Sequence, residues 1–325
     1  MRRIGGHATT AGGLATGALP YLDATGGTVA QVYVSNPRGW ARPPGVAAQD
    51  EAFRAGCAER GVEVFIHACL LVNLGSPTGA TVEQSVACLR HALSRASAIG
   101  ARGVVFHAGS AVEEGYTDSA FRQLREVLLP VLDGTDPATG PQLLVEPSAG
   151  GGRCLAKRVE DLGPYLDAVD FHPALGVCFD TCHAWAAGHD LATPGGMTST
   201  VDTLIATVGP GRVRLLHAND SKDACGSTRD RHENIGTGTI GAAAFAELLA
   251  HPGLAGVPVV VETPSRPDHS GHAADVATLR GLLPQTGTSS PSRSSRRTST
   301  RASSASRPGR SATATGSPAS AARTA

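Results

Sequence analysis

GVCFDTCHAWAAGHD (residues 176–190) is the stretch whose reading decides the fold. Val177, Cys178 and Phe179 form an apolar run with the character of a strand buried on both faces, and the run delivers Asp180 and then His183 at its far end. A carboxylate and an imidazole at the tip of a buried strand serve either chemistry or local structure. The local alternative is a helix cap by Asp180 and a hydrogen-bonded core histidine at 183. Short ligand-like spacings arise by chance, so the stretch takes its meaning from the rest of the chain.

Seven further apolar runs resemble it. With residues 175–180 they are 3–7, 29–34, 62–68, 103–109, 142–146, 213–219 and 258–262, rich in Val, Ile and Leu. Helix-like segments alternate with them, among them 81–99, 118–132, 197–208 and 241–250, and Gly or Pro punctuates the joins. Strand and helix in alternation build a parallel sheet. Eight such units in about 280 residues predict a TIM barrel, an α/β fold in which the eighth strand closes on the first. No glycine-rich turn follows the first strand, as a dinucleotide-binding open sheet requires.

The barrel domain is expected to span residues 1–284. From 285 to 325 the chain has no Val, Ile, Leu, Phe or Met, and such a segment cannot bury enough apolar surface to offset its ordering entropy. It reads as a disordered tail rich in Ser, Arg and Ala. Its seven arginines face no acid, which suits either a tether that tracks a phosphate backbone or a passive extension. The formal zero charge therefore hides an asymmetry. Without those seven arginines the chain carries 21 basic against 28 acidic residues, a net −7. Seven cysteines, an odd number with no Cys-x-x-Cys pair, and an opening MRRIGGHATT without an apolar signal region point to a reducing, cytoplasmic compartment. No apolar run approaches the ~20 residues of a membrane span, so no membrane partner is expected.

Barrel chemistry is done where the strand tips converge. The third run ends at His67, the fourth at His107, the fifth at Glu146, the sixth at Asp180 with His183, the seventh at His217 and the eighth at Glu262. The segment RDRHENIG after the seventh adds Asp230 and His232. Nine imidazoles and carboxylates at one face repel or desolvate one another unless cations neutralise them, and His nitrogen with carboxylate oxygen suits borderline divalent ions. No thiolate stands among the nine, which argues against a closed structural zinc site. Three zinc ions would use all nine at about three protein ligands each and leave positions open for water and substrate. Four of the nine are acidic, and three such ions would bring the barrel from −7 to about −1.

The runs IGGHATTAGGLA (4–15), FHAGS (106–110), VEPSAGGG (145–152), GVCFDTCHAWAAGHDL (176–191), HANDSK and GSTRDRHENIGTGTIG (217–241), and VVVETP (259–264) together resemble the successive motifs of the endonuclease IV family of apurinic/apyrimidinic endonucleases. The resemblance runs in order to about residue 283, and its DTCH and DRH segments are highly specific. It implies a TIM barrel with a trinuclear zinc centre that hydrolyses the phosphodiester on the 5′ side of an abasic site in duplex DNA. It implies that His67, His107 and Glu146 hold the first zinc. Glu146 then bridges to a second held by Asp180, His217 and Glu262, and His183, Asp230 and His232 hold the third. A water bridging the first two ions is the implied nucleophile, with Glu146 orienting it. A monomer acting on abasic duplex DNA, in a bacterial-type cytoplasm and associated with the nucleoid through DNA, is the expected setting.

The chain departs from the family pattern at several places. Ala108 stands where the family has proline, and Pro147 and Ser148 stand where it reads ENTAG. After His67 the family presents a tyrosine and a leucine that wedge into DNA; here Leu70 and Leu71 follow, so the aromatic member is missing. Arg38, in SNPRGW, matches an arginine that the family inserts into the base stack, or else is a solvated loop arginine. His7 reads as a hydrogen-bonded structural histidine, and His91, His172, His189, His251, His269 and His272 read as surface or packing residues. The runner-up activity is a metal-dependent sugar isomerase or epimerase of the related barrel superfamily, which gathers fewer ions. A degenerate barrel kept for binding alone is opposed by the completeness of the nine positions.

Overall fold

The computed structural model describes residues 2–284. The anticipated tail and the domain boundary before it lie outside the described residues. The predicted TIM barrel is present. Eight parallel strands close on themselves: β1 (Ile4–His7), β2 (Val29–Val32), β3 (Glu63–His67), β4 (Gly103–His107), β5 (Gln142–Glu146), β6 (Leu175–Asp180), β7 (Val213–His217) and β10 (Val259–Val261). β1 pairs with β2 on one side and β10 on the other. Between β7 and β10 a two-residue antiparallel pair, β8 (Asp220–Ser221) and β9 (His232–Glu233), stands outside the barrel. The helices are α1 (Leu14–Thr25), α2 (Ala47–Glu59), α3 (Gly79–Ile99), α4 (Thr117–Leu132), α5 (Leu162–Asp167), α6 (Thr181–Ala186), α7 (Gly196–Val208), α8 (Ala242–Ala250) and α9 (Ser270–Gly281).

Strands β5 and β6 match their apolar runs, and the other strand ladders are shorter than theirs. The runs to 34, 68, 109 and 219 lose their last residues to loops, and Glu262 stands one residue past β10. Helix α3 also starts two residues earlier than the expected 81 and α8 one later than 241, because Gly241 takes a positive φ of 80° that ends the loop before it.

Two apolar layers hold the barrel. The outer one packs helices on strands: on α4, Ala120, Leu124, Leu128 and Val131 recur at helical spacing and are all buried, each leucine contributing about 1.5–3 kcal/mol of burial. The inner one is a separate cluster with one residue from each of seven strands: Val29, Phe65, Val105, Leu144, Cys178, Leu215 and Val260. Side chains alternate across a strand, so the residue two further along faces the same way. That step leads from the inner layer to Gln31, His67, His107, Glu146, Asp180, His217 and Glu262, and from Gly5 on β1 to His7. At Gly5 a Cβ would sit 1.8 Å from the Val29 carbonyl oxygen, so β1 and β2 pack that closely only with glycine there. The apolar plug thus carries a ring of eight polar side chains, one from each barrel strand or its tip. Among the described residues no helix is long and apolar enough to cross a membrane.

Candidate metal centre

Glu146 is the centre of the ring. It is 1% exposed, and its two oxygens face different neighbours. Oε2 lies 3.4 Å from His67 Nε2 and 3.6 Å from His107 Nε2. Oε1 lies 2.9 Å from His217 Nδ1 and 3.4 Å from His183 Nδ1. His217 Nδ1 in turn lies 3.3 Å from Glu262 Oε2 and 3.7 Å from Asp180 Oδ2. On the loop side, Asp230 lies 3.3 Å from His183 Nε2 and 2.9 Å from His232 Nε2. The donor atoms of His67, His107 and Glu146 all lie within 4.8 Å of one another, as do those of Asp180, His217 and Glu262. Asp180 also falls within that distance of His183 and His232, so it joins the second group to the third. All nine residues singled out in the sequence therefore meet at the carboxyl-terminal mouth.

Asp180 fills the capping role weighed for it and also lies among the candidate donors. Its Oδ1 accepts from His183 N at 2.9 Å and caps α6, while Oδ2 accepts from Asn219 Nδ2 at 2.7 Å. The same Asn219 accepts through Oδ1 from the Glu262 backbone N–H at 2.7 Å. One amide thus ties the Asp180 carboxylate to the backbone at Glu262.

Four of the five imidazoles are held from behind. The Nδ1 atoms of His67, His183 and His232 meet the carbonyls of Ala68, Pro147 and Glu262 at 2.8, 2.9 and 3.1 Å, and His217 Nε2 meets Gln31 Oε1 at 2.9 Å. A histidine that donates one N–H to a carbonyl turns its other nitrogen's lone pair outward, as metal ligation requires. Those outward nitrogens are the ones that face the carboxylates. Glu146 Oε2 and His232 Nε2 are buried and, although His67 and Asp230 lie 3.4 and 2.9 Å away, neither makes a well-aligned hydrogen bond, which is costly unless a cation meets them. The donor set fits a divalent ion of the zinc type.

The electrostatics have the same character. Burial alone would raise the Glu146 and Glu262 carboxyls, but the surrounding histidines, His217 foremost, hold both well below the usual range. Burial would lower His183 and His217, yet Asp180, Asp230 and Glu146 hold His183, and Cys178 with Glu262 and Glu146 holds His217, well above the usual imidazole value. His107, with weaker compensation, is pushed by burial down to about 4. The thiols of Cys178 and Cys182 come within the same reach of these groups, which the sequence reading had not anticipated. Burial pushes Cys178 up to about 12 and raises Cys182 as well, so without a metal both thiols are held in the protonated form.

The loop that carries Asp230 and His232 is pinned by two carboxylates that the sequence reading passed over. Buried Asp220, from HANDSK, accepts from the backbone N–H groups of Ser221, Gly236, Gly238, Ile240 and Gly241 at 2.8–3.3 Å. Asp275 on α9 accepts from Ile235 N at 2.9 Å and Asn234 Nδ2 at 2.8 Å, and also from Thr263 beside Glu262. His7 bridges within the ring, its Nδ1 3.2 Å from Glu262 Oε1 and 3.0 Å from Gln31 Nε2. His272, between Tyr21 and the Thr263 carbonyl, is buried packing.

Arg38, Leu70 and Leu71 lie apart from the ring. Arg38 is exposed between β2 and α2, and Leu70 and Leu71 are 39% and 38% exposed after β3. The two loops are joined, since Leu70 N donates to Pro37 O at 2.9 Å and the Cys69 thiol meets the Pro37 and Gly39 carbonyls.

A family model described as xylose isomerase-like TIM barrel matches residues 20–282. The chain is 53% identical to a protein of Streptomyces coelicolor named "Probable endonuclease 4", over 86% of this chain and 94% of that one. A protein of the same name from Nitratidesulfovibrio vulgaris (strain DP4) is 38% identical over 87% of this chain and 99% of its own length. Among solved structures, endonuclease IV of Thermus thermophilus superposes with a TM-score of 0.72 at 36% identity, covering 86% of this chain and 98% of that one. A 3-keto-D-glucoside 4-epimerase from E. coli, 15% identical with a TM-score of 0.63 over 86% of this chain and 100% of its own, shares the fold alone. Identity of this extent, over nearly the full length of the relatives, means that the chain belongs to the endonuclease IV family.

Proposed function

We propose that the chain is a zinc-dependent apurinic/apyrimidinic endonuclease. It hydrolyses the phosphodiester 5′ to an abasic site in duplex DNA, leaves a 3′-hydroxyl and a 5′-deoxyribose phosphate, and so serves base excision repair. The observation that carries this reading is Glu146, whose two oxygens lie between separate groups of histidine and carboxylate donors. His67, His107 and Glu146 would hold one ion, Glu146 with Asp180, His217 and Glu262 a second, and His183, Asp230 and His232 a third. Bound zinc supplies positive charge that neutralises a phosphodiester, and it acidifies water towards a pKa of ~7.

The residues of the chain supply the rest. Glu146 is fixed by burial between four histidines and orients the attacking water. Backbone carbonyls hold His67, His183 and His232, Gln31 holds His217 and Glu262, and Asn219 holds Asp180, so little reorganisation of these donors accompanies substrate binding. Arg38, Leu70 and Leu71 present one charged and two apolar groups on joined loops, which suits contact with a phosphate backbone and an opened base stack. The protein is read as a cytoplasmic monomer with duplex DNA as its partner.

Metal analysis of the purified full chain, with parallel assays on an abasic duplex and on a ketose/aldose pair, tests this reading. About three zinc per chain and cleavage of the abasic duplex are expected. Sugar interconversion without cleavage would replace the reading with that of an epimerase.

A further inference from the structure

Of the eight polar side chains on the barrel's inner ring, seven are titratable and belong to the nine ligand candidates or to His7. The eighth, Gln31 on β2, has no place among them and is fully buried. Its Oε1 lies 2.9 Å from His217 Nε2, and its Nε2 lies 2.6 Å from Glu262 Oε1 and 3.0 Å from His7 Nδ1. A carboxylate only accepts, so the amide nitrogen must face Glu262 and the amide oxygen must face His217. His217 is thereby obliged to carry a hydrogen on Nε2, and the Nδ1 lone pair is directed at Glu146, Glu262 and Asp180. The same amide occupies Glu262 Oε1 and leaves Oε2 turned towards His217 Nδ1 at 3.3 Å.

We propose that Gln31 is a positioning residue that sets the tautomer of His217 and the rotamer of Glu262, and so builds the second of the three cation positions. The inference rests on the metal-centre reading above. His67, His183 and His232 are held by main-chain carbonyls, which no side-chain substitution removes. His217 is the member of this set held by a side chain, and the histidine that Gln31 holds shares one donor group with the carboxylate it also holds. Asn219 fixes Asp180, the third donor of that group. Two amides, Gln31 and Asn219, therefore frame one position, while in the others His67, His183 and His232 rest on backbone carbonyls. Loss of Gln31 is expected to weaken one ion selectively.

The test is zinc competition against a chromophoric chelator, on full-length protein stripped of metal and retitrated. Loss of an outer partner of a metal ligand typically weakens affinity 10–100-fold. In Gln31→Met, which keeps length and removes the polar pattern, one zinc equivalent should weaken by that factor while the others keep wild-type affinity. Leu128→Ala, a cavity in α4 away from the ring, should lower the melting temperature of the metal-free protein and leave every zinc affinity unchanged. If Gln31→Met does not fold, Gln31→Asn, one carbon too short to span both partners, carries the same expectation. Equal zinc affinities in wild type and Gln31 variants, or uniform weakening of all equivalents, would overturn the role of Gln31. Wild-type protein that binds no zinc would instead overturn the metal-centre reading.

Discussion

Replacing Leu70 and Leu71 together by alanine tests whether the joined β2 and β3 loops meet DNA. Burying a leucine is worth about 1.5–3 kcal/mol relative to leaving it exposed. With 39% and 38% of their surfaces still accessible, each has about 0.6–1.2 kcal/mol left to gain from being covered. The pair is then worth about 1–2 kcal/mol of lesion binding, a five- to thirtyfold weakening on truncation. Because each side chain is already more than half covered within the fold, a fall in melting temperature accompanies the double truncation, and binding is compared at a temperature where both proteins are folded. Fluorescence anisotropy on an abasic duplex and on its undamaged counterpart, at one fixed salt concentration, measures the effect. The loss should be confined to the abasic duplex, because an apolar wedge needs an opened stack to enter. Leu70→Tyr should act in the opposite direction, since an aromatic ring stacked on a base contributes ~1–3 kcal/mol. Unchanged affinity for the lesion in both variants would place these loops away from the DNA.

Two further outcomes follow from the centre itself. Glu146→Gln keeps volume and removes the charge that His67, His107, His183 and His217 share. It should leave the fold and DNA affinity near wild type while single-turnover cleavage falls by more than the ~100-fold attached to an outer hydrogen bond. Wild-type-like cleavage would remove Glu146 from its bridging position. The second outcome concerns pH. Burial alone would lower the His232 pKa, but Asp230 and Asp180 raise it to about 9, against about 6.5 in an unfolded chain. In metal-free protein this group's stabilisation is complete below pH ~6.5 and is lost as pH rises through about 9. Zinc must displace that proton, so the rise in melting temperature that zinc produces should grow between pH 6 and 9. A zinc-induced rise that is independent of pH would remove His232 from the ligand set.

The barrel and the ring were legible for one physical reason. Strands buried on both faces are apolar throughout, so a charged residue at the end of such a run marks a tip, and His67, His107, Glu146, Asp180, His217 and Glu262 all carry that mark. Gln31 does not, because it lies inside VAQV, where a single polar residue reads as an ordinary interruption and its partners are distant in sequence. Asp220 and Asp275 were missed for a related reason. The antiparallel pair of Asp220–Ser221 with His232–Glu233, and the reach of Asp275 from α9 to the same loop, are long-range contacts that no local periodicity encodes. The thiols of Cys178 and Cys182 were likewise missed, Cys178 being read as part of an apolar run and Cys182 given no role. Their distance from the donors is a property of the closed barrel.

Cleavage of abasic DNA through this centre is tested most directly by single-turnover incision of an end-labelled duplex with one abasic site. Metal-loaded protein should cut once, 5′ to the lesion, leaving a 3′-hydroxyl that a polymerase extends, and the undamaged duplex should stay whole. Chelation should abolish the cut and zinc should restore it. Incision on the 3′ side, or cutting that survives chelation, would contradict the account.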